Sequence, residues 1–337
     1  MSTAQPPATT SVYPDRSERL MLLGIGQVLL GCLCGLMAAL MVAATMLGPM
    51  GAVPQGQSTS LQAVIPALVF YVLLAVALFW LGIGLIRARR WAWTLTVLLS
   101  WMWLLMGLVA FVMFVFFLGP MMRETMAQQA KMPTEAIMVM LVVMAAFMAC
   151  IYILLPGVYI VLCQNESVRA TCQRRDPTVR WTDRCPMPVL ALTVIQGSCA
   201  VATPSALAYG SVIVLFGVFL SRATGAVAIV LIMLVLAYLA WGSYRLQMAA
   251  WWGTLLAGMV GALNMVVTFS RTDLMQMYKK MGLPPEQLEM MRKTGIVELM
   301  SRWGPWMGLV GAAGWLGYLL YVRRYFVISR EAAAETP

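Results

Sequence analysis

Side chains able to act as nucleophiles, metal ligands or proton carriers are few in this 337-residue chain, and none is grouped as catalysis requires. There is no histidine, which removes the commonest metal ligand and general base. Cys163, Cys172 and Cys185 are separated by nine and thirteen residues, which is not the spacing of a zinc knuckle. Cys32, Cys34, Cys150 and Cys199 fall inside apolar stretches, where a reduced thiol behaves as a small apolar group. Met275, Met277 and Met281 could hold cuprous ion through their thioethers. They also lie on an apolar stripe, where Met fills irregular space, and that is the reading preferred here. No phosphate-cradling Gly-x-x-x-x-Gly-Lys-Ser/Thr loop occurs, so nucleotide hydrolysis by that route is excluded. The chain is therefore expected to be no enzyme and to carry no cofactor or metal.

Polar residues within the apolar stretches are the next candidates: Gln27, Thr94, Thr96, Ser100, Gln196, Asn264 and Thr268 among them. None is charged. Ion-coupled transporters keep ionisable groups inside the membrane, so their absence weighs against such coupling. Gln27, Gln196, Asn264 and Thr268 could line a path for a neutral solute, or bond one helix to another at about 0.6 kcal/mol each.

These residues are positioned by long apolar segments. The chain is 61% hydrophobic and 11% charged, with a mean hydropathy of +0.83, about half the charge of a soluble domain. A spanning helix needs about 20 apolar residues. Charge-free segments at roughly 20–47, 62–86, 91–119, 136–163, 187–220, 224–244, 247–269 and 303–322 predict eight spans. The fold class is all-α membrane protein. With the N-terminus inside, 14 of the 23 Lys and Arg fall on the inner side, which places both termini in the cytoplasm.

An offset of 160 lays Gly82 on Gly242, Trp91 on Trp251, Thr94 on Thr254 and Gly157 on Gly317. This predicts two parallel four-helix repeats, at 20–163 and 187–324. They are flanked by a disordered tail at 1–19 and a second tail at 325–337, and joined by a basic linker at 164–186. Gly31 and Gly35 in the first span, and Gly304, Gly308, Gly311, Gly314 and Gly317 in the last, are candidate close-approach positions between helices.

The linker reads Val-Arg-Ala-Thr-Cys at 168–172, Asp176-Pro177, then Trp181-Thr-Asp-Arg-Cys-Pro186. Together with Ile83-Gly-Leu-Ile-Arg-Ala-Arg-Arg-Trp91, it resembles a family of bacterial polytopic inner-membrane proteins without an assigned activity. The resemblance implies an inner-membrane location and no catalytic residue. Arg174, Arg175 and Trp181 are candidate contacts to lipid headgroups or a docking protein.

The segment 271–302 is too long for a plain connector of about two to eight residues. Leu274, Met277, Met281, Leu288 and Met291 recur at helical spacing there, between charges. Two short helices flanking Pro284-Pro285 are expected, with the stripe buried against the bilayer or a partner. The sequence thus points to a non-catalytic membrane scaffold or accessory subunit. Its expected partners are membrane lipids and other membrane proteins or further copies of itself, with no nucleic acid. The alternative is a channel or transporter for a neutral, apolar or lipid-like solute between the repeats.

Overall fold

A computed structural model describes residues 13–47, 61–129, 133–209, 211–283 and 285–334. The described chain is almost entirely helical. Seven of its helical segments are long and apolar enough to cross a membrane, so this is a multi-pass helical membrane protein. The helices carry large apolar side chains on their outer faces, such as Leu29, Leu33, Leu36 and Leu40 on the first. Continuous apolar exposure of that kind suits lipid rather than water.

In chain order the helices are α1 (Ser17–Leu47), α2 (Leu61–Ile86), α3 (Arg90–Met113), α4 (Gly119–Gln129), α5 (Thr134–Ala149), α6 (Leu155–Cys163) and α7 (Glu166–Arg175). They continue as α8 (Met187–Ala202), α9 (Arg222–Tyr244), α10 (Met248–Arg271), α11 (Leu274–Lys280), α12 (Pro285–Lys293) and α13 (Ile296–Ala334). Two wide π-helical turns, Phe114–Leu118 and Cys150–Leu154, join α3 to α4 and α5 to α6 without a break. Each precedes a proline by two residues, Pro120 and Pro156. A proline ring clashes with the carbonyl four residues back in an ordinary helix. Bonding five residues back, as Gly119 N–H does to Phe114 O and Leu155 N–H to Cys150 O, widens the turn so the helix passes the ring intact.

The chain forms two compact units. The first comprises residues 1–40, 70–111 and 145–183. Its core gathers Leu20, Leu23, Leu85, Val97, Tyr159, Cys163, Val168 and Cys172 from α1, α2, α3, α6 and α7. The second comprises residues 41–69, 112–144 and 184–337. There α8 packs on α9, α9 on α10, α10 on α13, and α13 back on α8, around Val189, Leu192, Trp251, Leu319, Val322 and Phe326.

The predicted span 187–220 does not exist as one helix. α8 stops at Ala202, tightens into a 3-10 turn over Thr203–Tyr209, and gives way to an antiparallel hairpin of β1 (Ile213–Leu215) and β2 (Val218–Leu220). Pro204 stops α-helical bonding, and Gly217, at φ +83°, makes the hairpin turn. α13 runs through the predicted 303–322 span as part of a 39-residue helix. Its tryptophans, glycines and Pro305 dilute its hydropathy below that of the other seven.

Candidate interaction surfaces and buried polar contacts

Within the first unit, four contacts tie α1, α2, α3 and α6 together. The Gln27 amide Nε2 donates to Thr96 Oγ1 at 3.2 Å. The Trp93 indole N–H donates to the Cys163 carbonyl at 2.8 Å. Tyr159 OH donates to the Leu23 carbonyl at 3.0 Å. Gly24 and Gly82 cross so closely that a Cβ on Gly24 would sit 2.7 Å from the Gly82 carbonyl oxygen. That is backbone against backbone, so nothing larger than glycine fits without the helices parting.

Inside the second unit the same chemistry recurs. Gln196 Nε2 donates to Thr254 Oγ1 at 2.7 Å. Trp251 N–H donates to the Leu319 carbonyl at 2.9 Å, and Tyr318 OH to the Pro188 carbonyl at 2.6 Å. The turns entering α3 and α10 also match. Ala88 and Leu246 each hold a positive φ, 50° and 57°. Ala88 N–H bonds Leu85 O and Arg89 N–H bonds Gly84 O, while Leu246 N–H bonds Ser243 O and Gln247 N–H bonds Gly242 O. Both are Schellman closures with a non-glycine residue at the left-handed position. Beside them, a Cβ on Gly84 would press on Ala92, and one on Gly242 on Ala250.

Every one of these α2–α3 and α9–α10 pairs is separated by 158 residues. Gly84 and Gly242, Trp93 and Trp251, and Thr96 and Thr254 are so spaced. In the last helix of each set the indole acceptors Cys163 and Leu319 differ by 156. On that register Tyr318 stands three residues further along α13 than Tyr159 does on α6. On α8 its acceptor Pro188 lies one turn before the core residue Leu192.

All four residues considered for a path are hydrogen-bonded. Gln27 and Gln196 are buried against threonines. Asn264 braces the hairpin, accepting from Phe216 N–H at 2.6 Å and donating to Val214 O at 3.3 Å, and Thr268 bonds Asn264 at 3.5 Å. The Oε1 atoms of Gln27 and Gln196 are buried without a partner among the described residues. That too is a feature the two units share.

Among the candidate glycines, Gly31 packs on Phe79, Ala75 and Leu78, Gly304 on Phe269, and Gly308 on Met265. A Cβ at Gly35, Gly311, Gly314 or Gly317 would meet nothing within 4 Å among the described residues. Tight positions that spacing did not reveal include Gly24, Gly82, Gly84, Gly107 against Tyr152, and Gly242.

The segment 271–302 folds as α11 and α12 on the start of α13. Asp273 caps α11 by accepting from Met275 and Gln276 N–H, and Gly282 and Gly295, both at positive φ, end the two helices. α12 begins at Pro285, and Pro284 lies outside the described residues. Leu274 is buried within the chain, whereas Met277, Met281, Leu288 and Met291 are half-buried.

In the linker, Asn165 caps α7 through Ser167 N–H. Arg174 donates to the Tyr13 carbonyl at 3.0 Å, and Arg175 pairs with Asp15 at 3.3 Å, so α7 holds the chain just before α1. Trp181 is exposed. Asp176, 2% exposed, accepts from Thr178 at 2.6 Å and faces Arg180 at 3.5 Å and Arg89 at 3.8 Å. Burial by itself would raise its carboxyl, but the Thr178 hydrogen bond and the Arg180 charge more than offset this and hold it below the usual range. Burial pushes the Cys172 thiol up to about 12 and Cys185 up to about 11. Both stay protonated at neutral pH, which makes them poor nucleophiles and ligands. Among the described residues no three His, Cys, Asp or Glu are grouped to hold a metal.

No family model, curated protein or solved structure matches the chain.

Proposed function

We propose that this is a non-catalytic integral membrane protein, a scaffold or accessory subunit that binds other membrane proteins or lipid through its helix faces. The observation that carries it is the use made of the buried polar side chains. Gln27, Thr96, Gln196, Thr254 and Asn264 are committed to bonds within their own unit, while the outer helix faces offer long apolar surfaces. A solute path needs polar groups facing an opening, and these face each other.

The reading takes the chain as two parallel four-helix repeats, α1, α2, α3–α4 and α5–α6 followed by α8, α9, α10 and α13, giving eight spans. The recurring Gln–Thr, Trp–carbonyl and Schellman contacts support it. The excess of Lys and Arg on one side supports termini facing the cytoplasm of a bacterial inner membrane, in keeping with the resemblance noted above. Purification from its native membrane in mild detergent is the test. Stoichiometric partner proteins, a defined homo-oligomer or tightly held lipid is the expected result. A lone monomer binding neither protein nor lipid overturns the reading.

A further inference from the structure

We propose that the groove between α10 and α13 seats an acyl chain of an anionic glycerophospholipid whose phosphate lies against Arg323 and Arg324. This rests on the lipid-binding reading above and gives it a site. The groove encloses about 400 Å³, within the ~300–1,000 Å³ of small-molecule sites. Apart from the Trp315 indole, its lining is wholly aliphatic or thioether. It exists because the facing residues are small: Gly258 and Ala262 on α10, Ala312 and Ala313 on α13. Trp315 lies in the notch at Gly258, where a Cβ would stand 2.7 Å from the indole ring, and closes one wall.

Charge selects the occupant. Arg323 follows Leu316 by seven residues and Arg324 follows Ala313 by eleven. At about 100° per residue both return to the groove face of α13 within ~20°. The rise of about 1.5 Å per residue puts Arg323 about 10 Å beyond Leu316, and the far end of the groove at Leu309 about 10 Å deeper. A leaflet with its headgroup region is about 20–22 Å deep, half of ~40–45 Å, so a chain whose phosphate is anchored at Arg323 fills the groove and ends near the bilayer centre.

Both arginines are exposed. Arg323 stacks over Trp251 at 5.5 Å, which brings its guanidinium to the α10 side of the groove mouth. Arg324 is held by the Tyr321 and Tyr325 hydroxyls, at 2.8 Å each. Among the described residues no carboxylate lies within ion-pair distance of either. A guanidinium pair above an apolar slot matches a phosphate above an alkyl chain. A helix from another protein would need an acidic end to do the same.

The test is native mass spectrometry of the full chain in detergent, incubated with dioleoyl phosphatidylglycerol or dioleoyl phosphatidylcholine. One phosphatidylglycerol per chain should survive, in preference to phosphatidylcholine. The pair Arg323→Gln/Arg324→Gln should weaken phosphatidylglycerol about 30-fold, at roughly 1 kcal/mol per basic residue, and abolish the preference. Arg323→Lys/Arg324→Lys should keep most of it. Ala262→Leu/Ala313→Leu should fill the slot and lower retention of both lipids, with helicity unchanged by circular dichroism.

Equal retention of the two lipids by the unaltered chain overturns the proposal. So does retention insensitive to the arginine pair, with helicity unchanged by circular dichroism. A dimer that the alanine pair dissolves, with no lipid bound, assigns the groove to a second copy instead. In any of these cases partner proteins copurifying as before leave the broader reading standing, whereas loss of every partner together with lipid sinks both.

Discussion

Replacing Gln196 by leucine should harm this protein less than replacing the threonine it bonds. Thr254 OH already donates to the Ala250 carbonyl at 2.7 Å, so its oxygen can only accept, and the Gln196 amide must present Nε2. That leaves Gln196 Oε1 buried and unpartnered. Gln196→Leu removes one interhelical hydrogen bond, about 0.6 kcal/mol in a membrane, together with the desolvated orphan oxygen. A net change within about 0.5 kcal/mol of zero follows, since removing both the bond and the unsatisfied acceptor is nearly neutral. Thr254→Val strands the buried Nε2 as well, and an unsatisfied buried donor costs about 1–3 kcal/mol.

The double variant should be no worse than Gln196→Leu, which gives a coupling of about 1 kcal/mol or more. Equilibrium unfolding in mixed detergent–lipid micelles measures all three. The same ordering should appear for Gln27 and Thr96, since Gln27 Oε1 is likewise unpartnered. If Gln196→Leu proves the more damaging change, or the two add without coupling, Oε1 has a partner in the native protein and the account of a closed polar contact is wrong.

Gly24→Ala must separate α1 from α2, because its Cβ would lie 2.7 Å from the Gly82 carbonyl oxygen and 2.9 Å from Ile86 N; it should lose about 1–3 kcal/mol. Gly35→Ala should be neutral or stabilising by up to about 1 kcal/mol, and thermal melts in detergent distinguish the two. Asn264→Leu unpairs Phe216 N–H and Val214 O, so amide exchange at residues 213–220 should quicken at least tenfold with the helices unaffected; unchanged exchange refutes the bracing role. Asp176 has a depressed folded pKa, so its contribution is present above its ordinary value of 3.8 and fades as the pH falls below it. Asp176→Asn should therefore destabilise the linker at pH 7, and the difference from the unaltered chain should shrink as the pH is taken below 3.8, as read by thermal melts.

Much of the molecule is legible in the order of residues because the bilayer imposes a simple rule. Backbone groups in hydrocarbon must bond internally, so long charge-free stretches become helices. The same rule misled at 187–220. A short apolar run fits a buried strand as well as a helix, and only the turn at Gly217 and the brace from Asn264 show that 213–220 is a hairpin. The glycines of the last span show a second limit. Spacing says which residues share a face of α13, but not whether another helix lies there, and a Cβ at Gly311, Gly314 or Gly317 would meet nothing within 4 Å among the described residues.

The register of the proposed repeat separates the two kinds of information most clearly. Around the start of α3 the sequence offers Trp91 and Trp93, then Thr94 and Thr96, each pair two apart. Either member matches Trp251 and Thr254 equally well, so residue identity cannot choose between offsets of 160 and 158. Composition, helical class and multi-pass character were determined by the sequence, because each depends on transfer of local segments from water to hydrocarbon. Which tryptophan reaches a carbonyl, which threonine meets a glutamine and which glycines touch were decided by the tertiary structure. A hydrogen bond inside the bilayer requires donor and acceptor on different helices to arrive within about 3 Å, and no single segment contains that distance.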